Sequence, residues 1–367
     1  MRILFLVFVW LSAVVLIAPT ALYRRVDTVA VGEPISPVAC AQADLASGSV
    51  SGMLEEPREE MPSDEPPAEE IIVPSTIDVG AFADETDTEL AAPPVSEPTT
   101  HDDSVILQIS DRGSGYTVSL GEYLVGVVMA EMPASFHKEA LRAQAVAARS
   151  YLLYRRDRGY PIYDWGSSCT AYFTEAEGRA FFGDAYDAVK EIIRAAVADT
   201  DGEVLFYDGE IICAAYHAMS YGYTTDGADV WGGDTPYLTS VITPEQETIS
   251  GLVMQYAFDE ETLCRMLSVE CALPFSVEYT AHGRLASVTT ASGVYFSGER
   301  FRSLLRLRST AAEITAQDAA SVSLCVRGYG HGVGMSQYGA DLYADAGWSY
   351  RAILSHYYPQ TTLGLLS

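Results

Sequence analysis

A run of 79 residues near the N terminus limits how much of this chain can pack into a core. Residues 26–104 carry 19 acidic side chains against the single Arg58, and they contain ten of the chain's 17 prolines. The like charges repel one another, and the few apolar side chains cannot bury enough surface to offset the entropy lost on ordering. We therefore expect a disordered acidic linker here and a compact fold in residues 105–367.

An apolar stretch long enough to cross a membrane precedes that linker. Residues 3–23 contain no charged side chain, and about 20 apolar residues span a bilayer as a helix. The alternative is a cleaved secretory signal, which would have a shorter apolar core and a cleavage site close behind it. The stretch favours an uncleaved anchor over residues 1–25. Arg2 at one end and Arg24 and Arg25 at the other leave its orientation open.

Charge and cysteine content exclude several classes of protein. The formal net charge is −28, of which −13 belongs to residues 105–367, and nucleic-acid binding would need clustered positive charge instead. Six cysteines without a Cys-x-x-Cys pair argue against a disulfide-dense scaffold or a zinc finger. Five of them lie in residues 105–367, and because this number is odd we expect buried free thiols.

The periodicity of residues 105–367 predicts an α+β fold, either one large mixed domain or two closely packed lobes. Asp208-Gly209 between two alternating apolar runs is typical of a hairpin with a type I′ turn. The predicted strands cover 203–207, 211–216, 276–280 and 285–289, and the predicted helices cover 136–158, 183–197, 259–267 and 298–305.

Glu131 is the strongest candidate for acid chemistry. Pro133 removes a backbone donor and favours an extended Met132, so the helix that carries Glu131 must stop there. Ser135 suits the N-cap of the next helix. A carboxyl group at such a corner, beside the apolar Val-Val-Met run, has its protonated form favoured, as a general acid requires. The alternative is a structural Glu131 that caps a helix or pairs with an arginine.

Four basic residues follow on the next predicted helix. Lys138, Arg142, Arg149 and Arg156 are spaced by 4, 7 and 7 residues and therefore share one face. In an acidic domain this stripe is either a wall of a substrate site or an ordinary solvated face, and local sequence does not decide between them.

Two further segments carry candidate polar residues. His217 and Ser220 lie in a stretch rich in small and hydroxyl side chains, but no Gly-x-Ser-x-Gly turn supports a serine nucleophile. Around His331, glycines at 328, 330, 332 and 334 predict a shaped loop that leads into a helix over 336–346. His331 is either a catalytic or binding residue or a structural, hydrogen-bonded histidine.

Two long motifs in residues 122–149 match a known family. Glu122-Tyr-Leu-x-Gly-Val-Val-x-x-Glu131-Met-Pro, followed by Glu139-Ala-Leu-x-Ala-Gln-Ala-Val-Ala-Ala-Arg149, resembles stage II sporulation protein D, a family related to the amidase enhancers of cell-wall lysis. The resemblance continues to Gly330-His-Gly-Val-Gly-Met-Ser-Gln-x-Gly-Ala340 and covers residues 105–367 in order.

The resemblance implies a membrane-anchored lytic transglycosylase on the extracytoplasmic side of the cell membrane, acting on peptidoglycan during forespore engulfment. Its substrate would be peptide-free glycan strands, cleaved between MurNAc and GlcNAc to leave 1,6-anhydroMurNAc ends. A cell-wall amidase and a membrane scaffold of the engulfment machinery would be its partners. The family's catalytic glutamate corresponds to Glu131, and its substrate-binding positions correspond to Arg142, Arg149, His217, Ser220 and Thr224, with His331 as a further candidate.

Two expectations qualify this interpretation. Some family members bind zinc, but only Cys169 of the expected ligands is kept here, since Tyr163 and Ser168 occupy other ligand positions. A structural zinc needs four ligands, so we expect no metal and no other cofactor. The competing class is a non-catalytic peptidoglycan-binding module that enhances an amidase.

Overall fold

The computed structural model of the protein describes residues 100–110, 115–163, 170–246 and 249–366. The anchor predicted for residues 1–25 lies outside them, as does the linker predicted for residues 26–104 except for its last five residues. Within the described part, no helix combines the length and the apolar character that a bilayer crossing requires.

The described residues form a mixed α+β fold, as expected. Their α-helices are His101–Ser104 (α1), Leu120–Glu131 (α2), Lys138–Asp157 (α3), Glu175–Phe182 (α4), Tyr186–Ala198 (α5), Gly227–Trp231 (α6), Glu260–Leu267 (α7), Gly298–Leu305 (α8), Gln337–Asp345 (α9) and Tyr350–Tyr357 (α10). Their strands are Ile106–Ser110 (β1), Gly115–Ser119 (β2), Ile162–Tyr163 (β3), Glu203–Tyr207 (β4), Glu210–Ile211 (β5), Tyr216–His217 (β6), Val253–Asp259 (β7), Ser276–Tyr279 (β8), Leu285–Thr289 (β9), Tyr295–Ser297 (β10), Ala312–Gln317 (β11), Ser321–Arg327 (β12), Met335–Ser336 (β13) and Thr362–Leu365 (β14).

The strands form small sheets. Among the described residues the sheet orders are β2-β1-β3, β14-β4-β5, β13-β6, β10-β9-β8 and β11-β12-β7. Most neighbours are antiparallel, but β13 pairs with β6 in parallel, with Met335 opposite Tyr216 and Ser336 opposite His217. This short parallel pair joins two segments about 120 residues apart in sequence.

The helices α2 and α3 form the centre of the first of two hydrophobic clusters. Ser119 caps α2 by accepting the Glu122 N–H, and the helix ends at Glu131 with Met132 extended before Pro133, as predicted. The alanine-rich α3 packs tightly against α2, α5 and α9. Its N-cap is His137, whose Nδ1 accepts the Glu139 N–H, so the prediction of Ser135 as the cap is wrong by two residues.

The second cluster lies in residues 253–327, where the sheets β7–β12–β11 and β8–β9–β10 enclose helices α7 and α8. Phe258, Leu263, Val288, Phe301 and Leu324 are all at least 90% buried there. Whether these clusters form one domain or two packed lobes stays a prediction.

The predicted hairpin around Asp208-Gly209 is confirmed, since both residues have positive φ and β4 pairs with β5. Its second strand is shorter than predicted, however. The chain leaves the hairpin after Ile211, and Tyr216 instead joins β13, which brings it next to the glycine-rich segment.

The folded region begins before the predicted boundary at residue 105. Thr100 caps α1, and Asp102 of this helix is 2% exposed. Its carboxylate accepts hydrogen bonds from Arg149 Nε at 2.8 Å and Nη2 at 2.6 Å. Residues 100–104 therefore belong to the fold and not to the linker.

Candidate active site

Glu131 lies at the C-terminal end of α2, half-buried at the corner before Pro133. Its Oε1 accepts hydrogen bonds from the Thr170 hydroxyl at 2.9 Å and from the Ala171 N–H at 2.8 Å. Its Oε2 accepts one from Gln337 Nε2 at 3.1 Å. Two chain segments that are distant from α2 in sequence therefore hold one carboxyl group.

Burial raises the pKa of Glu131 above its ordinary value, and the hydrogen bonds from Ala171, Gln337 and Thr170 pull it partly back. The predicted direction of this shift is confirmed. Among the described residues, no second carboxylate contributes to the shift. The described part of the site thus offers a single carboxyl group whose protonated form is favoured by burial and whose charged form is stabilised by three donors.

Three of the groups around Glu131 were not predicted from the sequence. Thr170 and Gln337 contact its carboxyl group directly, and the Tyr216 hydroxyl lies 2.6 Å from Thr170 Oγ1. Gln337 belongs to the same motif as His331, and this motif is the sequence signal that could have identified it. Thr170 and Tyr216 had no such signal, because only the fold brings them to Glu131.

Arg142 lies one turn into α3 and is partly exposed. It forms ion pairs with Glu139, three residues earlier, and with Asp199 after the end of α5. These two carboxylates neutralise its charge at the surface. A substrate-binding role for Arg142 stays a prediction.

Arg149 is fully buried, unlike the rest of the predicted basic stripe. Besides the Asp102 carboxylate, its guanidinium donates to the backbone oxygens of Val197 and Glu203 and to Thr200 Oγ1. Because the side chain is fully enclosed, it cannot contact a bound glycan strand. The substrate-binding role predicted for Arg149 therefore does not fit the structure. It instead ties α1 and the end of α5 to α3.

The predicted stripe therefore divides along the helix. Lys138 and Arg156 are exposed, whereas Arg149 at 0% exposure points into the core. Helical spacing placed these residues on one face correctly, but it did not reveal that α1 and α5 cover the middle of that face.

His217 and Ser220 form a buried pair. His217 Nε2 lies 2.6 Å from Ser220 Oγ, and its Nδ1 lies 3.1 Å from the Val333 backbone oxygen. Burial, with the nearby Arg284 charge, lowers the pKa of His217 to about 3. The ring is therefore neutral, so Nδ1–H donates to Val333 and Nε2 accepts the Ser220 hydroxyl.

Glu245, which the sequence did not predict as a functional residue, connects this pair to the segment after the glycine-rich loop. It accepts hydrogen bonds from the Ser220 N–H at 2.9 Å and from the hydroxyls of Ser336 and Thr243. Burial raises the pKa of Glu245. These contacts support a structural role for the segment around His217 and Ser220.

Thr224 is also buried and bonded within the fold. Its Oγ1 accepts the Val241 N–H at 2.9 Å, and its backbone oxygen accepts the Ser240 hydroxyl at 2.7 Å. These bonds fasten the loop after β6 to the segment at residues 240–242. The structure does not bring Thr224 to the carboxyl group of Glu131.

His331 lies inside the molecule at 1% exposure. Its Nδ1 accepts the Val333 N–H at 3.0 Å, and its ring packs 4.9 Å from Trp231 and 5.7 Å from His217. Burial holds the pKa of His331 well below its ordinary value. These contacts favour the structural alternative of the two that the sequence left open.

A cavity of about 140 Å³ lies beside this buried network rather than at Glu131. Arg284 lines this cavity. The Nη2 of Arg284 donates to Ser220 Oγ at 3.4 Å and to the Tyr223 backbone oxygen at 3.3 Å. The other lining residues include Thr225, Glu299 and Thr310. The cavity therefore adjoins the structural network of His217.

The predicted absence of zinc stays a prediction. Ser168 and Cys169 lie outside the described residues. Within the residues that are described, no group of three or more His, Cys, Asp or Glu side chains is arranged to hold a metal ion. Cys213 and Cys325 are buried, as expected, whereas Cys264 is partly exposed and Cys271 is exposed, so the expectation of buried thiols is wrong for Cys271.

Comparison with known proteins places the chain in a family. A family model described as Stage II sporulation protein matches residues 113–207, a range that includes Glu131 and Thr170. Stage II sporulation protein D of Bacillus amyloliquefaciens is 31% identical over 275 residues, which cover 72% of this chain and 80% of that protein. The chain belongs to the stage II sporulation protein D family.

Two further relatives extend this picture. Stage II sporulation protein D of Bacillus subtilis strain 168 is 30% identical over 257 residues, covering 67% of this chain and 74% of that protein. The Amidase enhancer of the same organism is 28% identical over 296 residues, covering 65% of this chain and 40% of that protein. For this member of the stage II sporulation protein D family, the Glu131 carboxyl group is the chemical centre that the described geometry favours most.

Proposed function

We propose that this protein is a peptidoglycan lytic transglycosylase that cleaves peptide-free glycan strands between MurNAc and GlcNAc. The observation that carries the proposal is the half-buried Glu131 with a raised pKa and no second carboxylate acting on it among the described residues. Hydrolytic glycosidases use two carboxyl groups. A single one suffices where the sugar supplies its own nucleophile.

The proposed reaction conserves atoms without consuming water. Protonated Glu131 gives its proton to the glycosidic oxygen as the bond from that oxygen to C1 of MurNAc breaks. The C6 hydroxyl of the same MurNAc attacks C1 and forms the new C1–O6 bond. Glu131, now a carboxylate, takes the proton of that hydroxyl, which restores the acid and leaves a 1,6-anhydroMurNAc end.

The environment of Glu131 suits both halves of this cycle. Burial favours the acid that the first step needs, and the donors at Thr170, Ala171 and Gln337 stabilise the carboxylate that the second step needs. Arg142 is the proposed contact for the sugar. It lies on the same helix as Arg149, two turns earlier, and its side chain reaches the surface whereas that of Arg149 is buried.

The proposed setting is the outer face of the cell membrane during forespore engulfment. Residues 1–25 would anchor the protein, and residues 26–99 would hold the catalytic domain away from the bilayer. A cell-wall amidase would supply strands without stem peptides, and a membrane scaffold would hold both proteins together. The relatives named for stage II sporulation and for amidase enhancement support this setting.

Replacing Glu131 by Gln tests the proposed chemistry. Glu131→Gln removes the proton donor but keeps the side-chain size, so release of anhydro-muramyl products from peptide-free strands, measured by mass spectrometry, should fall by about 10²- to 10⁴-fold. Glu261→Gln, on the exposed first turn of α7, should leave the release unchanged. Equal rates for wild type and Glu131→Gln would contradict the proposal.

The second candidate is a non-catalytic module that binds peptidoglycan and enhances an amidase. It is favoured by the relative named Amidase enhancer. On this alternative the wild-type protein releases no anhydro-muramyl ends, yet it stimulates a purified cell-wall amidase, and Glu131→Gln stimulates it equally.

A further inference from the structure

The two oxygens of the Glu131 carboxyl group have different surroundings. Oε1 accepts two hydrogen bonds, from the Thr170 hydroxyl and the Ala171 N–H. Oε2 accepts one, from the Gln337 side-chain amide. A carboxylate oxygen has two lone pairs in its plane, so these donors fill Oε1 and leave one position on Oε2.

The direction of the hydrogen bonds at Oε1 is determined by a third residue. The Thr170 hydroxyl has one proton, and it donates that proton to Glu131. The contact of 2.6 Å between Tyr216 and Thr170 must then have the Tyr216 hydroxyl as donor. While Glu131 is ionised, the Tyr216 hydroxyl, the Thr170 hydroxyl and the Ala171 N–H therefore form a set of donors directed at Oε1.

From this asymmetry we infer that Oε2 is the oxygen that gives and takes the proton, and that Gln337 is the positioning residue that presents it. This inference rests on the proposed function. Gln337 is the first residue of α9 and is 4% exposed, so its amide is held by packing. Gln337 also binds the one oxygen that Thr170 and Ala171 do not hold, so without it the carboxyl group could turn about Oε1.

The fold delivers Gln337 through the pairing of β13 with β6. Ser336 lies opposite His217 in that pair and caps α9 by accepting the Gly339 N–H. The same Ser336 hydroxyl donates to Glu245. The residue directly before Gln337 is thus fixed by a strand pair, a helix cap and a buried carboxyl group.

Other ionisable groups around the site are already engaged. Asp341 on α9 accepts the His137 N–H at 2.7 Å, and Glu245 is bonded to Ser336 and Ser220. Tyr338, next to Gln337, packs edge-on against Phe136 at 4.9 Å. Lys190 and Arg194 of α5 pair with Glu122 of α2, and Arg179 of α4 pairs with Glu175 and Asp187. Among the described residues, the groups that shift the pKa of Glu131 are therefore the hydrogen-bond donors and burial alone.

The decisive variants remove one donor at a time from the full-length protein. Gln337→Leu removes the donor at Oε2, which favours the neutral acid and should raise the pKa of Glu131 by about one unit. Because the carboxyl group is then held at Oε1 alone, the plateau rate of anhydro-muramyl release should fall by about 10- to 100-fold, with little change in KM. Thr170→Val leaves Ala171 on Oε1 and Gln337 on Oε2, so its plateau rate should fall by less than that of Gln337→Leu.

Two measurements keep these outcomes apart. An infrared titration of the carboxyl band that disappears in Glu131→Gln reports the pKa of Glu131 without any substrate, and the pH–rate profile reports turnover. Gln337→Met keeps a side chain of similar length but has no hydrogen-bond donor, and it should reproduce both effects. Gln255→Leu, on an exposed position of β7, should reproduce neither.

The inference is overturned if Gln337→Leu and Gln337→Met titrate and turn over like Gln255→Leu, or if Thr170→Val loses as much plateau rate as Gln337→Leu. If wild type releases no anhydro-muramyl ends, the proposed function fails separately. The infrared shift then still decides whether Gln337 acts on Glu131.

Discussion

Two opposing effects act on the pKa of the Glu131 carboxyl group. Burial disfavours its charged form, and three hydrogen-bond donors favour it, with burial the larger effect. A carboxyl group whose pKa is raised in the folded state costs stability wherever it is ionised. This loss of folding stability falls on the residue that, in the proposed reaction, must both donate and accept a proton.

The pH dependence of stability tests this balance. The pKa of Glu131 is higher in the folded than in the unfolded state, so the folded protein binds the proton more tightly. Its contribution to stability is therefore fully present below the unfolded pKa and is lost as the pH rises through the folded pKa. The free energy of unfolding of Glu131→Gln, minus that of wild type, should grow from pH 4 to pH 8 in urea titrations. A difference that stays constant or shrinks would contradict the assignment.

The pairing of β6 with β13 is the element on which the site depends. It brings Tyr216 and the residue before Gln337 together, although the two strands contain only two residues each. Gly334 makes this close approach possible. A Cβ at this position would lie 2.0 Å from the Ala215 backbone oxygen, and its φ of +68° is rarely adopted by other residues.

Replacing Gly334 by Ala should therefore damage stability and activity together. We expect Gly334→Ala to lower the free energy of unfolding by about 3 kcal/mol, since backbone strain and steric clash add, and to lower the release of anhydro-muramyl ends by displacing Gln337. Gly347→Ala is the matched control, because Gly347 has a φ of +90° but open space around it. It should cost only about 1 kcal/mol of strain. Equal losses in the two variants would show that the contact with Ala215 does not matter.

At the scale of the whole molecule, the N-terminal boundary of the fold depends on one buried ion pair. Arg149 is enclosed by α1, α3 and the end of α5, and Asp102 supplies the carboxylate that offsets its charge. A buried charge without its partner is strongly destabilising. The few residues before β1 are thus part of the structure that supports α3.

Two shortened proteins test that boundary. A protein that lacks residues 1–99 keeps Asp102, whereas one that lacks residues 1–104 leaves Arg149 buried and unpaired. We expect the second to be less stable by about 3–5 kcal/mol in urea unfolding, with Asp102→Ala in the full chain showing a loss of similar size. Equal unfolding midpoints for the two shortened proteins would place the boundary at residue 105 after all.

Local chemistry along the chain determined the elements and the central residue of this protein. Pro133 ends α2 wherever that helix lies, the Asp208-Gly209 pair specifies its own turn, and a carboxyl group behind an apolar run is partly desolvated by its neighbours. These effects act over a few residues, so they can be read from the sequence. They identified Glu131, the α+β class and the glycine-rich loop.

Only the tertiary structure decided which side chains surround Glu131 and which arginine is buried. Thr170 and Gln337 lie 39 and 206 residues from Glu131, and Arg149 differs from Arg142 only in what α1 and α5 place over it. The periodicity of a helix determines which residues share a face, but not what covers that face. Contacts between distant segments come from the packing of whole elements. For that reason the sequence indicated His217, Ser220, Thr224 and His331 as candidate site residues but did not predict that their side chains are buried.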